Sequence, residues 1–422
     1  MAVPIPLRVA LVTYRGNPQS GGQGVYTHYL SRELVALGHR VTVFSGQPYP
    51  TLAPGVELVE VPSLDLYRPD HPFRRPRREE FRDLLDVAEW GLMCTAGFPE
   101  PLTFSVRLAR ELHRRGRGAF DVVHDNQCLG YGMLRVLRDG FPMVATVHHP
   151  ITVDRALDLA QAQAAGWRKQ LAVRRWYGFV RMQKRVLRRV PRLLTVSESS
   201  ARDLCREMGA RKEQLRVAPV GVDTSLFRPL PAVARVPGRL VTTASADVPM
   251  KGMTPLLEAL AKVCTERHAE LVIVGPPRAD GAVAPAVERL GLEGAVTVAG
   301  IVSAERLVEL YAEAEVAVVP SLYEGFSLPA IEAMACGVPL VTTTGGALPE
   351  VVGRDGETAL LAPPGDPSAL AAALGRALDD SALRERLGAA GRARVVERFS
   401  WRRTAELTEA QYYEVIEGRR PC

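Results

Sequence analysis

Residues 7–45 read LRVALVTYRGNPQSGGQGVYTHYLSRELVALGHRVTVFS, and this stretch decides the fold. It opens on a β-branched apolar run (7–14). A helix is expected from about 25 to 37, stopped by Gly38, and a second β-branched run follows at 39–45. Strand, helix and strand in this order make a βαβ unit. Further runs stand at VELVEVP (56–62), DVVHD (121–125), PMVATVH (142–148) and RLLTVS (192–197). Their apolar character is continuous rather than alternating, as in parallel strands covered on both faces. The first half therefore reads as a doubly wound parallel sheet.

The rhythm restarts after a proline-rich stretch, Pro219 to Pro237, with strands expected at 238–245, 270–275, 295–300, 315–321 and 338–344. Helices are expected at about 254–264 and at 303–313, 329–336, 347–352, 367–379 and 381–398. A chain of 422 residues exceeds the roughly 250–300 at which one core stops growing. The expectation is an α/β protein of two Rossmann-like domains, residues 1–225 and 226–399. The segment 400–422 is read as a helix that returns to the first domain. Residues 65–82, DLYRPDHPFRRPRREEFR, are charged and proline-rich enough to be read as a mobile loop.

Composition excludes several classes. With 47% hydrophobic and 24% charged residues the chain can bury a core, which excludes disorder; 36 Gly and 32 Pro without a period exclude collagen. The net charge of +6 is mild, so nucleic acid is not an expected partner. Six cysteines are scattered with no C-x-x-C pair, so neither a disulfide framework nor a zinc site is expected. No apolar run approaches the ~20 residues of a membrane span, and the amino terminus lacks a charged leader, so a cytoplasmic protein is expected.

The strongest chemical signal is Ser321-Leu-Tyr-Glu324-Gly325-Phe326-Ser327-Leu328-Pro329-Ala-Ile-Glu332, at a strand-to-helix junction. Proline suits a first helical turn, which leaves the amides of Phe326, Ser327 and Leu328 pointing outward, where a phosphate binds. Glu324 and Glu332 could grip hydroxyls of one ligand; equally, Glu332 could serve the helix dipole and Glu324 be a solvated loop acid. Arginine outnumbers lysine 48 to five, and one of the five, Lys251, follows the first strand of the second domain in Asp247-Val-Pro-Met-Lys251-Gly252. It could face a diphosphate as a point charge or stand exposed on a loop.

In the first domain Ser20-Gly21-Gly22-Gln23-Gly24 leads from strand to helix, another phosphate position, although the glycines could simply shape a turn. The spacing is not G-x-G-x-x-G and Ser45 ends the second strand where a ribose-binding acid would stand, which disfavours a dinucleotide cofactor. His148 and His149 leave a strand at the same face and could donate hydrogen bonds there, or one of them could only cap or pack. Residues 168–192 hold ten basic side chains and no acid, interleaved with Leu171, Trp176, Phe179 and Met182. This is either a solvated arginine face or a basic surface for an anionic membrane or acceptor.

Taken together these residues resemble the retaining glycosyltransferases of family 4, with the GT-B fold of two Rossmann-like domains facing each other across a cleft. The resemblance covers nearly the whole chain. It rests on Gly21-Gly22, Thr146-Val147-His148, Val196-Ser197-Glu198, Pro219-Val-Gly-Val-Asp223 with Phe227 and Pro229, Lys251-Gly252, and Glu324 to Glu332 continuing into Ala-Met-Ala-Cys-Gly-Val-Pro339. The resemblance implies a nucleotide-sugar donor, a UDP- or GDP-sugar, lying between the domains. Glu324 would contact its sugar, Glu332 its ribose, Lys251 its diphosphate, and the amides of Gly325 to Leu328 its sugar and phosphate oxygens. Gly22 would close over the diphosphate and His148 would bind the transferred sugar. The family's arginine before the Lys-Gly pair is missing here; Ser245 and Asp247 stand in that stretch, and Asp247 would orient Lys251.

The implied reaction is retaining transfer of a hexose to a hydroxyl of a small-molecule, glycan or lipid-linked acceptor. With no D-x-D signature at a strand end, it is expected to be metal-independent. Through 168–192 the enzyme could also sit peripherally on the inner membrane face. Two other classes fit the same residues less well: a GT-B-fold nucleotide-sugar epimerase or hydrolase, and a basic adaptor for membranes or nucleic acid acting through 168–192.

Overall fold

The computed structural model describes residues 5–17, 22–68, 71, 73–164, 166–243, 249–275 and 281–418. The chain divides into two compact units, the first of residues 1–196, 201–218 and 402–422, the second of residues 197–200 and 219–401.

The first unit carries a seven-stranded sheet in the order β3-β2-β1-β4-β5-β6-β7. Its strands are β1 (Arg8–Thr13), β2 (Arg40–Ser45), β3 (Glu57–Glu60), β4 (Val122–Asn126), β5 (Met143–Val147), β6 (Arg192–Thr195) and β7 (Leu215–Val217). All pair in parallel, β1 lying between β2 and β4 with Val9 opposite Val41 and Val122. Both β4 and β5 are buried at every position, so the run in β5 does not alternate, while β4 carries His124, Asp125 and Asn126 into the interior. A core of Val12, Phe44, Leu108, Leu112, Val123, Met143 and Leu193 fills the layer between sheet and helices. Each such side chain contributes about 1.5–3 kcal/mol of burial free energy. The first helix runs Gly22–Ala36, three residues earlier than the sequence suggests, and ends at Gly38 with φ +98°.

The second unit holds a six-stranded parallel sheet, β10-β9-β8-β11-β12-β13. Its strands are β8 (Arg239–Thr243), β9 (Glu270–Val274), β10 (Val296–Gly300), β11 (Val316–Val319), β12 (Leu340–Thr343) and β13 (Ala359–Ala362). Leu240, Leu257, Leu271, Ile273, Val318, Val341 and Leu374 form its core. Both sheets are doubly wound, and in each the strand order reverses beside the first strand of the unit, at β1/β4 and at β8/β11.

Three readings of the sequence are corrected. Strands β7 and β13 were not expected: one is three residues long and the other, ALLA, has no β-branched residue. Described residues of 65–82 are pinned rather than loose, because Arg74 donates to the Leu64 and Asp65 carbonyls and pairs with Glu80, and Arg82 pairs with Asp86. The basic stretch 168–192 does not present all of its interleaved apolar residues to the surface. It breaks into Trp167–Trp176 and Val180–Leu187, and Val180, Met182, Val186 and Leu187 are spent in the core.

The last helix, Trp401–Glu417, belongs to the first unit from Arg402 onward. Tyr412 is fully buried and its hydroxyl bonds to His124 Nδ1 at 2.7 Å, while Glu409 meets His39 Nε2 at 2.9 Å.

Candidate active site

In the second unit, Lys251 follows β8 and Glu324 follows β11, so the two loops leave the sheet side by side where its order reverses. Open α/β sheets bind ligands outside such a point. Backbone sterics lock the two loops together. Leu322 N–H donates to the Met250 carbonyl at 2.8 Å, and Gly252 sits at φ +67° so close to the other loop that a Cβ there would lie 2.0 Å from the Pro320 oxygen. Only glycine fits that position. The consequence is that Lys251 Nζ reaches Glu324 Oε1 at 2.7 Å.

Glu324 is held from several sides. Ser321 Oγ donates to the same Oε1 at 2.7 Å, and the Ala347 amide donates to the Glu324 carbonyl at 2.8 Å. Behind the loop, Gly345 and Gly346 leave no room for a side chain: a Cβ would come within 2.6 Å of the Leu322 oxygen and 2.2 Å of the Glu324 oxygen. The carboxylate is buried, with 9% of its side chain exposed. Burial penalises a lone carboxylate, and here the ammonium and the hydroxyl offset that cost.

The next helix spans Leu328–Ala335 with Pro329 in its first turn. Its N-cap, Ser327, adopts φ +96°, a left-handed conformation uncommon for serine, and its hydroxyl accepts from Ala330 N–H. Gly325 and Phe326 precede it, and the Gly325 carbonyl accepts from Ser197 Oγ at 2.7 Å and Ser200 Oγ at 3.2 Å, both residues of the same unit. Glu332 lies on this helix. Its carboxylate has no hydrogen-bond or ion-pair partner among the described residues, and loss of solvent pushes its pKa up to about 7. An acid so placed gains by meeting a hydroxyl donor.

In the first unit, His148 stands one residue beyond β5. Burial, with His149 beside it, holds its ring down at about pKa 3, so it is neutral near pH 7. The ring Nε2 bonds to Asn126 Oδ1 at 2.7 Å, the backbone N–H donates to Gln127 Oε1 at 2.7 Å, and Tyr26 packs edge-on with centroids 4.8 Å apart. Gly22 opens the first helix with nothing within 4 Å of where a Cβ would go, whereas a Cβ on Gly24 would lie 1.9 Å from the Asn17 oxygen. The glycine demanded by packing is thus Gly24, and Gly22 faces open space.

The structure therefore brings Lys251, Glu324, Ser327 and Glu332 onto neighbouring loops and one helix of the second unit, and His148 and Gly22 onto the first. Gly21, Ser245 and Asp247 lie outside the described residues. Sequence reasoning missed Ser321 as a partner of Glu324, and Gly345-Gly346 as its floor. The paired glycines directly after the 338–344 run were the available signal. It also missed Asn126 and Gln127, which carry no motif.

The family model described as Glycosyltransferase Family 4 matches residues 20–226, and that described as Glycosyl transferases group 1 matches residues 237–380. The chain is 54% identical over 417 residues to the MMP alpha-(1->4)-mannosyltransferase of Mycolicibacterium hassiacum, covering 99% of this chain and 100% of that protein. It is 32% identical to the D-inositol 3-phosphate glycosyltransferase of Acidothermus cellulolyticus, over 98% of this chain and 92% of that one. Among solved structures it is similar to a sucrose-phosphate synthase from Thermosynechococcus elongatus, with TM-score 0.75, 26% identity, and coverage of 97% and 99%. Anabaena HepE in complex with UDP and glucose shares the fold at TM-score 0.70 and 16% identity, with coverage of 96% and 99%.

Proposed function

This chain belongs to the family-4 glycosyltransferases, and from that premise we propose that it moves a mannosyl residue from a nucleoside-diphosphate donor to the 4-hydroxyl of a glycan acceptor, with retention and without a metal. The observation that carries the reading is the Lys251–Glu324 pair at the β8/β11 reversal, beside a helix start. The sugar and the α-(1→4) linkage are taken from the 54% identical relative's name. The donor base is guanine or uracil.

The leaving group is a nucleoside diphosphate, and negative charge grows on its phosphate as the bond to the anomeric carbon breaks. A cation and outward N–H groups fixed there beforehand stabilise that charge without reorganising. Lys251 has three N–H donors and gives one to Glu324, so the same ammonium can serve a phosphate oxygen while staying in place. Glu324 takes sugar hydroxyls through its remaining oxygen, and Glu332 takes the ribose hydroxyls. His148 bonds the transferred sugar, and Gly22 and the amides of Gly325 to Leu328 border the diphosphate.

Glu324 Oε1 already accepts from both Lys251 and Ser321, which lowers its nucleophilicity. In the proposed reaction the acceptor oxygen attacks from the face the diphosphate leaves, and its proton passes to the departing phosphate oxygen. An α-linked donor then gives an α-linked product.

Incubation with a panel of GDP- and UDP-sugars, following nucleoside diphosphate and the anomeric configuration of the product, tests this. Turnover with a mannosyl donor, dependent on acceptor and unaffected by EDTA, is expected. Equal turnover without acceptor would move the assignment to a hydrolase or epimerase; a β-linked product would end the retaining assignment; loss of turnover in EDTA would end metal independence.

Among the described residues no helix is long and apolar enough to cross a membrane. Contact with an anionic surface is favoured by Trp167, 70% exposed, and Leu171, 52% exposed, on the basic helix Trp167–Trp176. Sedimentation with anionic but not neutral vesicles is the expected result, and equal partitioning would remove this contact.

A further inference from the structure

Strand β4 ends at Asp125-Asn126 and Gln127 follows. We infer that Asn126 and Gln127 are positioning residues that hold His148 against the first turn of the helix Gly22–Ala36. The inference rests on the proposed reading of His148 as a sugar contact and adds what sets its place.

Gln127 grips the turn after β5 by its backbone. Its Oε1 accepts from His148 N–H at 2.7 Å and its Nε2 donates to the His149 carbonyl at 3.0 Å. One side-chain amide thus pairs with two consecutive residues as a neighbouring strand would. To do so Gln127 takes φ +57°, and Leu129 follows at φ +49°, conformations that cost a non-glycine residue free energy and persist only when the surroundings over-determine them. The over-determination is visible. Buried Asp125 accepts from the amides of Cys128 at 2.9 Å and Leu129 at 2.8 Å, Gln183 Nε2 donates to the Cys128 carbonyl at 3.2 Å, and Gly132 presses on the Ser105 backbone too closely for any Cβ.

Asn126 fixes the ring. Its Nδ2 donates to Thr27 Oγ1 at 3.1 Å and to the Gln23 carbonyl at 3.3 Å. A carbonyl can only accept, so the amide nitrogen must face the helix and Oδ1 must face His148. The 2.7 Å contact to Nε2 then requires that Nε2 carry the hydrogen. Asn126 thereby sets the tautomer of His148 and ties its ring to Gln23, the neighbour of Gly22. The two segments of this unit proposed to meet the donor are coupled through one side chain that itself touches no reacting atom.

The test uses the full chain with Asn126→Ala, Asn126→Asp and Gln127→Ala beside His148→Ala, reading kcat, donor KM and the His148 tautomer by nitrogen-15 imidazole NMR. His148→Ala should lose about 100-fold in kcat/KM. Asn126→Ala and Gln127→Ala should each lose about tenfold in kcat, with donor KM within about twofold. The wild-type ring should report Nε2–H and Asn126→Ala a tautomer mixture. Asn126→Asp keeps the size and the acceptor but not the donors to Gln23 and Thr27, and should lose kcat while keeping the tautomer; if Asn126→Ala does not fold, this variant and Gln127→Ala carry the test. An impaired His148→Ala beside Asn126 and Gln127 variants of wild-type rate overturns the inference and leaves the site reading standing, as does an Nδ1–H ring in the wild type. A fully active His148→Ala sinks the site reading and takes the inference with it.

Discussion

The Lys251–Glu324 junction and the His148 turn both lie where strands end, yet they are built differently. In the junction, backbone meets backbone: Gly252 against the Pro320 oxygen and Gly346 against the Glu324 oxygen leave no space for a side chain. At the His148 turn, two side-chain amides, one from the last residue of the adjacent strand and one from the residue after it, do the holding. The first kind of constraint writes glycines next to the functional residue. The second writes an asparagine and a glutamine 22 and 21 positions upstream, which look like any polar pair.

The largest effect that would break this contrast is Gly252→Ala. The new Cβ must displace the Pro320 carbonyl at a positive φ, so we expect a loss of roughly 2–4 kcal/mol in urea unfolding, and turnover abolished with it. A variant of wild-type stability would show that the junction tolerates what its geometry forbids.

Next comes Glu100, buried in the first unit near Arg15, where burial pushes its pKa up to about 8. The neutral acid stabilises the fold fully below the unfolded-state pKa, and that contribution fades as pH rises towards about 8. Glu100→Gln, always neutral, should be more stable than wild type by roughly 2 kcal/mol or more at about pH 8.5 and equal to it at about pH 4. A gain of the same size at both pH values would contradict the raised carboxyl.

Glu332 responds to pH on the ligand side. With its pKa up at about 7, it ionises as pH rises through neutrality, and only the ionised form accepts from both ribose hydroxyls. Donor KM should fall by about threefold from about pH 6 to about pH 8, and Glu332→Gln should flatten that slope. The same slope in the variant would remove Glu332 from the nucleotide.

The smallest expected effect belongs to Gly22→Ala. Open space around the missing Cβ predicts a change in stability within about 0.5 kcal/mol, so any rise in donor KM reports clearance for the ligand alone. A large loss of stability would place a structural demand there that the geometry lacks.

Most of the fold was legible because buried parallel strands write continuous β-branched runs, as in RVALVT and RVTVFS. Strand β13 was not, since ALLA is read equally well as helix and is made a strand only by pairing with β12. In the basic stretch 168–192 composition gives charge without direction, and only packing reveals that Met182 and Val186 face inward. In the candidate site Lys251 and Glu324 were legible from adjacent glycines and a helix start. Ser321 was not, because a serine beside a strand end has many uses until Glu324 is seen to receive its hydroxyl.

The proposed donor site of the second unit is built on Lys251 and Glu324. Calorimetric titration of GDP and UDP into the wild type, Lys251→Ala and Glu324→Gln tests it most directly. Removing the cation should weaken the preferred nucleotide by about 30- to 100-fold, with the melting transition retained. Glu324→Gln should bind that nucleotide about as well as wild type, since its proposed contact is to the sugar. Wild-type affinity for both nucleotides in Lys251→Ala would contradict the account.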